Sequence, residues 1–170
     1  MRVVAGIAGG RRLQAPPGRD VRPTSDRVRE AVFSSLHSMG VVEGAAVLDL
    51  YAGSGALGVE ALSRGAASAT FIDDDARAVA TIKANLVATG LEGGVVVRAD
   101  ALRWLETAPD FDLALVDPPY DFEAWAALFA LLPAAVVVAE SNRDVDPGPG
   151  WRVVRRKRYG GTVVTLAARE

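Results

Sequence analysis

The tetrapeptide Asp117-Pro118-Pro119-Tyr120 follows an apolar run and combines a carboxylate, two rigid residues and an aromatic ring. An exocyclic amine on a nucleic-acid base is a poor nucleophile, because its lone pair is delocalised into the ring. Methyl transfer to it needs two acceptors for the amino hydrogens: Asp117 can supply a carboxylate oxygen and Pro118 a carbonyl aimed by its restricted φ. Tyr120 can stack on an extruded base. We therefore predict a catalytic pocket, without a metal, that orients an amine.

Three glycines, Gly53, Gly55 and Gly58, form a GxGxxG array between an apolar run and a helical pattern. In that context small residues let the backbone approach a bound nucleotide. The array alone does not distinguish the pyrophosphate of a nicotinamide or flavin from the amino-acid end of S-adenosylmethionine. A tight structural turn is a further alternative.

Carboxylates end three successive predicted strands, at the edge where open α/β sheets bind ligands. Asp49 can engage the ammonium of a sulfonium ligand and would repel a pyrophosphate. Asp73 can accept hydrogen bonds from ribose hydroxyls, and Asp100, next to Ala101, can accept from an adenine amino group. Each could instead cap a helix, but their regular placement favours S-adenosylmethionine as the cofactor.

These residues need a scaffold in which strands and helices alternate, and the chain from Ala46 to Glu140 has that pattern. Such alternation predicts an α/β fold with a parallel sheet and crossover helices, built as one domain over residues 24–170. The tail 151–167 predicts two strands joined at Gly160 and Gly161, an antiparallel hairpin closing one edge of the sheet.

The N-terminal residues 1–23 contain short apolar runs around Gly-Gly and Pro-Pro turns, which predict a basic β-hairpin or extended arm. A helix follows, with Thr24 or Ser25 as its N-cap. Its apolar residues recur at helical spacing and should face the core; they are Val28, Val32, Phe33 and Leu36.

Composition excludes several kinds of chemistry. The 170 residues include no cysteine and one histidine, His37, so disulfides, zinc-thiolate sites, thiol catalysis and a Ser-His-Asp triad are not expected. The sequence has no run of 18 apolar residues, and residues 1–18 lack the apolar core and small-residue cleavage site of a signal peptide, so we expect a cytoplasmic protein with no membrane contact. A monomer is also expected, since no unusually apolar helix face is evident.

The net charge of −2 hides an asymmetry along the chain. Residues 1–30, 31–150 and 151–170 carry +4, −11 and +5. Basic terminal segments around an acidic middle favour binding of a polyanionic partner by the termini. Terminal charges that are simply solvated would give the same distribution of charge.

The sequence resembles the bacterial small-subunit rRNA guanine-N2-methyltransferases of the RsmD type over nearly its whole length. The likeness is carried by GSGALG with Asp49, by the DPPY tetrapeptide, and above all by RPTSDRVRE at Arg22 to Glu30. The resemblance implies a seven-stranded, Rossmann-like class I methyltransferase fold with S-adenosylmethionine as the methyl donor. It also implies N2 methylation of one guanine in the 16S rRNA of an assembling small subunit.

By position, the resemblance assigns the donor site to the three glycines, the ribose to Asp73 or its neighbour Asp74, and the adenine to Asp100. The arm then gains a role in neutralising rRNA phosphates. Its candidate RNA-contacting residues are Arg11, Arg12, Arg19, Arg22, Thr24, Asp26, Arg27 and Arg29. Arg155, Arg156, Lys157 and Arg158 have a weaker claim, since alternate residues of a strand face opposite ways.

Three alternatives stay open from the sequence. DPPY also suits adenine-N6 methylation in DNA or RNA, because that amine has similar geometry. GxGxxG taken alone would allow a nicotinamide oxidoreductase. An RNA-binding assembly factor that keeps the fold without turnover is the third.

Overall fold

Strands and helices alternate in the computed structural model, which describes residues 1–18 and 25–170. In chain order the elements are α1 (Asp26–Met39), β1 (Ala46–Leu50), α2 (Ala56–Ser63), β2 (Ser68–Asp73), α3 (Ala76–Thr89), β3 (Gly94–Arg98), α4 (Ala101–Leu105), β4 (Phe111–Val116), α5 (Trp125–Leu131), β5 (Ala134–Ser141), β6 (Trp151–Tyr159) and β7 (Thr162–Arg169).

All seven strands belong to one sheet with the order β3-β2-β1-β4-β5-β7-β6. The first five are parallel, whereas β7 is antiparallel to both β5 and β6. The predicted α/β architecture with a C-terminal antiparallel hairpin is therefore confirmed. β7 inserts beside β5 and leaves the basic strand β6 as the edge of the sheet.

The sheet is covered on both faces, which explains why its strands are almost continuously apolar. Successive residues of a strand point to opposite faces. Val47 and Leu113 accordingly belong to the hydrophobic cluster that also contains buried residues of α1, α2 and α3. Leu48 and Ala114 belong to the second cluster, with residues of α4 and α5.

Helix α1 begins at the predicted place. Ser25 is the N-cap, and its side chain accepts a hydrogen bond from the Val28 N–H at 3.2 Å; Thr24 lies outside the described residues. The four apolar residues predicted to face the core are all buried, as predicted. Gly40 ends the helix with a φ of 68°, the left-handed conformation that glycine adopts without strain.

The N-terminal arm folds back on itself and packs against the domain. Arg2 and Arg12 form an antiparallel bridge, as expected for a short hairpin. Val3, Ala8 and Leu13 are buried in the cluster on the α1 side of the sheet. The predicted arm boundary at residue 23 lies outside the described residues.

Polar side chains of α2 fix this arm. The buried carboxylate of Glu60 accepts the N–H groups of Val4 at 2.8 Å and Ala5 at 3.0 Å. Ser63 accepts from the Ala8 N–H and donates to the Ala5 carbonyl. Because these bonds satisfy backbone groups that would otherwise be buried without partners, they hold the arm on the domain. No helix among the described residues is long and apolar enough to span a membrane.

Candidate active site

The site lies at the topological switch point, where the chain stops adding strands on one side of β1 and begins adding them on the other. β1 and β4 are neighbours in the sheet but not in the chain, so the connections from their carboxyl ends leave in opposite directions and open a crevice. Asp49 lies in β1 and Asp117 directly follows β4, and the Asp117 N–H donates to the Leu50 carbonyl at 3.5 Å. The glycine turn and the DPPY tetrapeptide therefore meet across this crevice.

The backbone of the glycine turn is left-handed at three positions. Gly53 has a φ of 59° and Gly55, the N-cap of α2, a φ of 79°. A Cβ added at Gly53 would meet nothing within 4 Å, so this part of the turn faces open space, as a ligand-binding turn should. Tyr51 is the one non-glycine residue with positive φ among the described residues, at 56°. Strain of this kind concentrates at functional sites.

Gly58 has a different role from the other two glycines. A Cβ at this position would overlap the ring of Phe71 and lie 3.1 Å from the Asp49 Oδ2. The GxGxxG array predicts that Gly58 lines the donor site, but its missing side chain makes room for β2 and for Asp49. Close packing of helix and sheet therefore explains this glycine.

Replacing Gly58 with alanine should destabilise the fold. Phe71 is fully buried and cannot move aside freely, so the added methyl group should lower the free energy of unfolding by about 1–3 kcal/mol. For a domain of this size each kcal/mol corresponds to roughly 2–4 °C in Tm. Thermal unfolding measures the change, and an unchanged Tm would contradict the packing role.

Asp73 links the end of β2 to the glycine turn. Its Oδ2 accepts the Gly53 N–H at 2.9 Å and its Oδ1 the Asp75 N–H at 3.0 Å. Asp73 is buried, whereas Asp74 is exposed, and Asp75 is the N-cap of α3. Asp73 is therefore the acid tied to the glycine turn, and Asp74 is the one that faces solvent.

Asp49 is a carboxylate enclosed by protein. It is fully buried, and its Oδ2 accepts the Gly58 N–H at 2.9 Å. Burial raises the pKa of Asp49 well above its usual range; the Gly58 hydrogen bond lowers it, and the carboxylates of Asp117 and Asp73 raise it further. A site in which neighbouring carboxylates raise the pKa of a buried acid favours a cationic ligand.

The third predicted donor-site acid caps a helix. Asp100 is the N-cap of α4, and its Oδ1 accepts the Arg103 N–H at 3.0 Å. Ala101 is the buried first residue of that helix. Burial, Asp100 and Asp74 together raise the pKa of Tyr51 to about 12. The acid predicted to contact adenine is therefore near enough to Tyr51 to act on the pKa of its hydroxyl.

The DPPY tetrapeptide forms the opposite wall. Pro118 is buried, Pro119 and Tyr120 are exposed, and the Pro119 carbonyl accepts the Phe122 N–H at 2.9 Å, which closes a turn. The Tyr120 hydroxyl lies 3.1 Å from the Thr162 Oγ1 at the start of β7. The β6–β7 hairpin thus reaches the same edge of the sheet as the tetrapeptide.

Two residues that the sequence analysis missed support the site. The Tyr51 ring packs edge-on against Phe122, with centroids 5.4 Å apart, and so joins the glycine turn to the DPPY loop. The buried Asn85 of α3 donates to the carbonyls of Ser54 at 2.8 Å and Gln14 at 3.0 Å, which links the turn to the arm. Sequence position next to Gly53 could have indicated Tyr51, but no local signal indicates Asn85.

The candidate RNA-contacting residues of the arm divide into three groups. Arg11, Arg12 and Arg27 are exposed, and Arg11 donates to the Ala88 carbonyl at 3.2 Å. Arg19, Arg22 and Thr24 lie outside the described residues. Arg29 and Asp26 pair with each other.

The prediction that Arg29 contacts phosphate is wrong for this structure. Its side chain is fully buried and donates to the Arg2 carbonyl as well as to Asp26. Asp26 also lies 3.5 Å from the Arg2 guanidinium. Arg29 therefore joins α1 to the N-terminal residues. No cluster of three or more potential ligand side chains that could hold a metal ion occurs among the described residues.

The sheet order, the turn between β1 and α2 and the antiparallel hairpin define the fold of class I S-adenosylmethionine-dependent methyltransferases. The chain belongs to the family described as Conserved hypothetical protein 95, whose profile matches residues 1–168. The resemblance drawn from the motifs is thereby confirmed at the level of the family.

Relatives and solved structures match over the whole chain. Ribosomal RNA small subunit methyltransferase D of Escherichia coli strain K12 is 40% identical over 184 residues, covering 100% of this chain and 90% of that protein. The putative rRNA methyltransferase YlbH of Bacillus subtilis strain 168 is 38% identical over 181 residues, covering 98% and 97%. The structure of the putative methyltransferase yhhF from Escherichia coli superposes with a TM-score of 0.88 at 34% identity, covering 100% and 98%.

Proposed function

We propose that this protein transfers a methyl group from S-adenosylmethionine to the exocyclic N2 of a guanine in 16S rRNA of an assembling small ribosomal subunit. The observation that carries the proposal is the juxtaposition of the Asp117-Pro118 pair with the glycine turn across the β1/β4 crevice. The names of the relatives, which are rRNA methyltransferases, support RNA as the substrate.

The donor fits the residues on its side of the crevice. Open space in front of Gly53 admits a ligand to the backbone, and the buried acidic group around Asp49 suits a positive charge. In this proposal Asp73 and Asp100, at the ends of neighbouring strands, accept hydrogen bonds from the adenosine. When bound, S-adenosylmethionine supplies an electrophilic methyl group on a sulfonium.

The protein's own groups act on the amine. One Asp117 oxygen and the Pro118 carbonyl accept the two amino hydrogens, which orients the nitrogen lone pair toward the methyl carbon. Tyr120, held at Thr162, stacks on the extruded base. As the N–C bond forms and the S–C bond breaks, the nitrogen becomes positive, and the Asp117 carboxylate accepts the proton that it then loses.

Transfer of labelled methyl groups tests the proposal. Small subunits from a strain lacking this protein, and naked 16S rRNA transcript, are incubated with the enzyme and labelled S-adenosylmethionine, and the RNA is then digested to nucleosides. N2-methylguanosine is the expected product. N6-methyladenosine would replace the guanine assignment by the adenine alternative, and absence of label from both substrates would favour a non-catalytic assembly factor.

Calorimetric measurement of ligand binding distinguishes the proposed methyltransferase from the oxidoreductase alternative. The proposed function requires binding of S-adenosylhomocysteine, whereas an oxidoreductase would bind a nicotinamide dinucleotide instead.

We further propose that the protein acts as a monomer in the cytoplasm, where small subunits are assembled; light scattering of the purified protein measures its oligomeric state.

A further inference from the structure

A groove of about 290 Å³ lies between helix α1 and the edge strand β6, outside the β1/β4 crevice. Three serines of α1 form one wall, and Val154 and Arg155 of β6 form the other; the serines are Ser34, Ser35 and Ser38. The Arg155 guanidinium donates to the Ser35 Oγ at 3.4 Å across the groove. Hydroxyl groups and a guanidinium are groups that bind phosphate oxygens.

The groove continues toward the carboxyl edge of the sheet. A second, smaller cavity shares Ser35 and Arg155 with it and is also lined by Lys157 and Tyr159. The Lys157 ammonium lies 5.1 Å from the centre of the Tyr159 ring. We call the two cavities together the α1–β6 groove, and it presents two cationic side chains on one face.

The register of the hairpin separates the basic residues of β6 into two sets. A bulge follows Val153, after which Arg155 pairs with Leu166 and Lys157 with Val164. Arg156, between them, faces the other side of the sheet and donates to the Val145 carbonyl and the Thr165 Oγ1. Of the residues 155–158 predicted to contact RNA, Arg155 and Lys157 therefore line the groove and Arg156 does not.

Protection of the sheet edge does not account for this arrangement by itself. Charged residues on an edge strand discourage pairing with another chain, and either sign of charge serves that purpose. The nine residues of β6 include five basic residues and no acidic one. A stretch of one sign creates a field that attracts a polyanion.

The far end of the groove, at Tyr159, is connected to the DPPY tetrapeptide through one residue of β7. Tyr159 pairs with Thr162 across the hairpin turn, and Thr162 lies 3.1 Å from the Tyr120 hydroxyl. Four residue steps along a strand, from Arg155 to Tyr159, span about 13 Å. A nucleic-acid backbone bound in the groove would therefore lie within a few nucleotides of a base at Tyr120.

We propose that the α1–β6 groove binds the phosphodiester backbone of the RNA substrate on one side of the modified nucleotide, through Arg155, Lys157 and the serine hydroxyls of α1. This inference rests on the proposed function and identifies the surface that the RNA follows on its way to the DPPY pocket.

A charge-matched pair of double variants tests the groove. Arg155→Gln/Lys157→Gln removes two charges from it, and Lys83→Gln/Arg103→Gln removes two exposed charges outside it. In anisotropy titrations with labelled 16S rRNA transcript, the groove variant should bind at least tenfold more weakly. Its plot of log K against log salt should be shallower by about 1.4, since each phosphate contact on a single strand contributes about 0.7.

Donor binding and thermal stability serve as controls for the RNA-binding measurements. Binding of S-adenosylhomocysteine and Tm should be the same in both variants and the wild type. The inference is overturned if the groove variant binds transcript as the wild type does, or if the control variant loses as much affinity. Failure of the wild type to methylate RNA would instead overturn the proposed function.

Because the protein has no cysteine, a single one can carry a probe. Hydroxyl radicals generated from iron-EDTA attached at Ser38→Cys, in the groove, should cleave the transcript close to the methylated nucleotide. The matched Thr107→Cys, exposed just beyond α4, should cleave there weakly. Equal cleavage from both positions would contradict the proposal.

Discussion

Replacing Asp117 with alanine is expected to lower kcat for methyl transfer by about 10²- to 10³-fold, the loss usually seen when one preorganised hydrogen-bonding group is removed from a polar catalytic site. Asp117 follows β4 at the crevice, where its carboxylate holds the amine and accepts its proton. The measurement is single-turnover transfer of label to small subunits that lack the modification.

The donor side of the crevice should remain intact in this variant. Asp117 is one of the groups that raise the pKa of Asp49, so its removal should leave the affinity for S-adenosylhomocysteine unchanged or slightly higher. Asp117→Asn keeps one acceptor oxygen but loses the base, and its rate should lie between those of the alanine variant and the wild type. Transfer by the alanine variant at the wild-type rate would refute the role of Asp117.

Asp49→Asn is expected to change stability and donor affinity in opposite directions. The asparagine oxygen can still accept the Gly58 N–H, but the variant lacks a charge that is costly to bury beside Asp117 and Asp73. We expect Tm to rise by roughly 2–4 °C for each kcal/mol by which the free energy of unfolding increases. The affinity for S-adenosylhomocysteine should fall about tenfold, or about 1.4 kcal/mol, because the ligand's ammonium loses its counter-charge.

The pH dependence of this effect has a definite sign. A carboxyl group whose pKa is raised by folding destabilises the protein above that pKa, and the cost disappears below the pKa of the unfolded chain. The stability advantage of Asp49→Asn should therefore grow as the pH rises and vanish in acid. Donor affinity of the wild type should also increase as the pH rises through the Asp49 pKa.

Calorimetry and thermal unfolding over a range of pH check both expectations. Should Asp49→Asn bind S-adenosylhomocysteine as tightly as the wild type does, Asp49 would serve only to hold Gly58 and the turn.

Helix α1 shows how a charged residue can mislead sequence interpretation. A basic cluster suggests a phosphate partner, which predicts the same role for Arg29 as for the other arginines of the arm. Arg29 nevertheless lies four residues before Phe33 and three before Val32, on the apolar face of the helix. That spacing was visible in the sequence and could have indicated burial.

The long-range contacts of the N-terminal arm could not be predicted from its local sequence. Its turns and basic residues were evident locally, but its partners Glu60, Ser63 and Asn85 are 55 to 71 residues away in the chain. Nothing in the local pattern of residues 1–18 specifies these contacts. Packing on α2 and α3 makes part of the arm a fixed support for the glycine turn.

The sequence by itself determined the alternating elements, the GxGxxG turn, the carboxylates at strand ends and the DPPY tetrapeptide. These follow from helical or strand periodicity and from short motifs, which act over a few residues. Only the tertiary structure decided that β1 lies beside β4, that Gly58 makes room for Phe71, and that Arg155 and Lys157 share a groove. Each depends on long-range pairing and strand register, in which a bulge or a shift of one residue changes the face a side chain occupies.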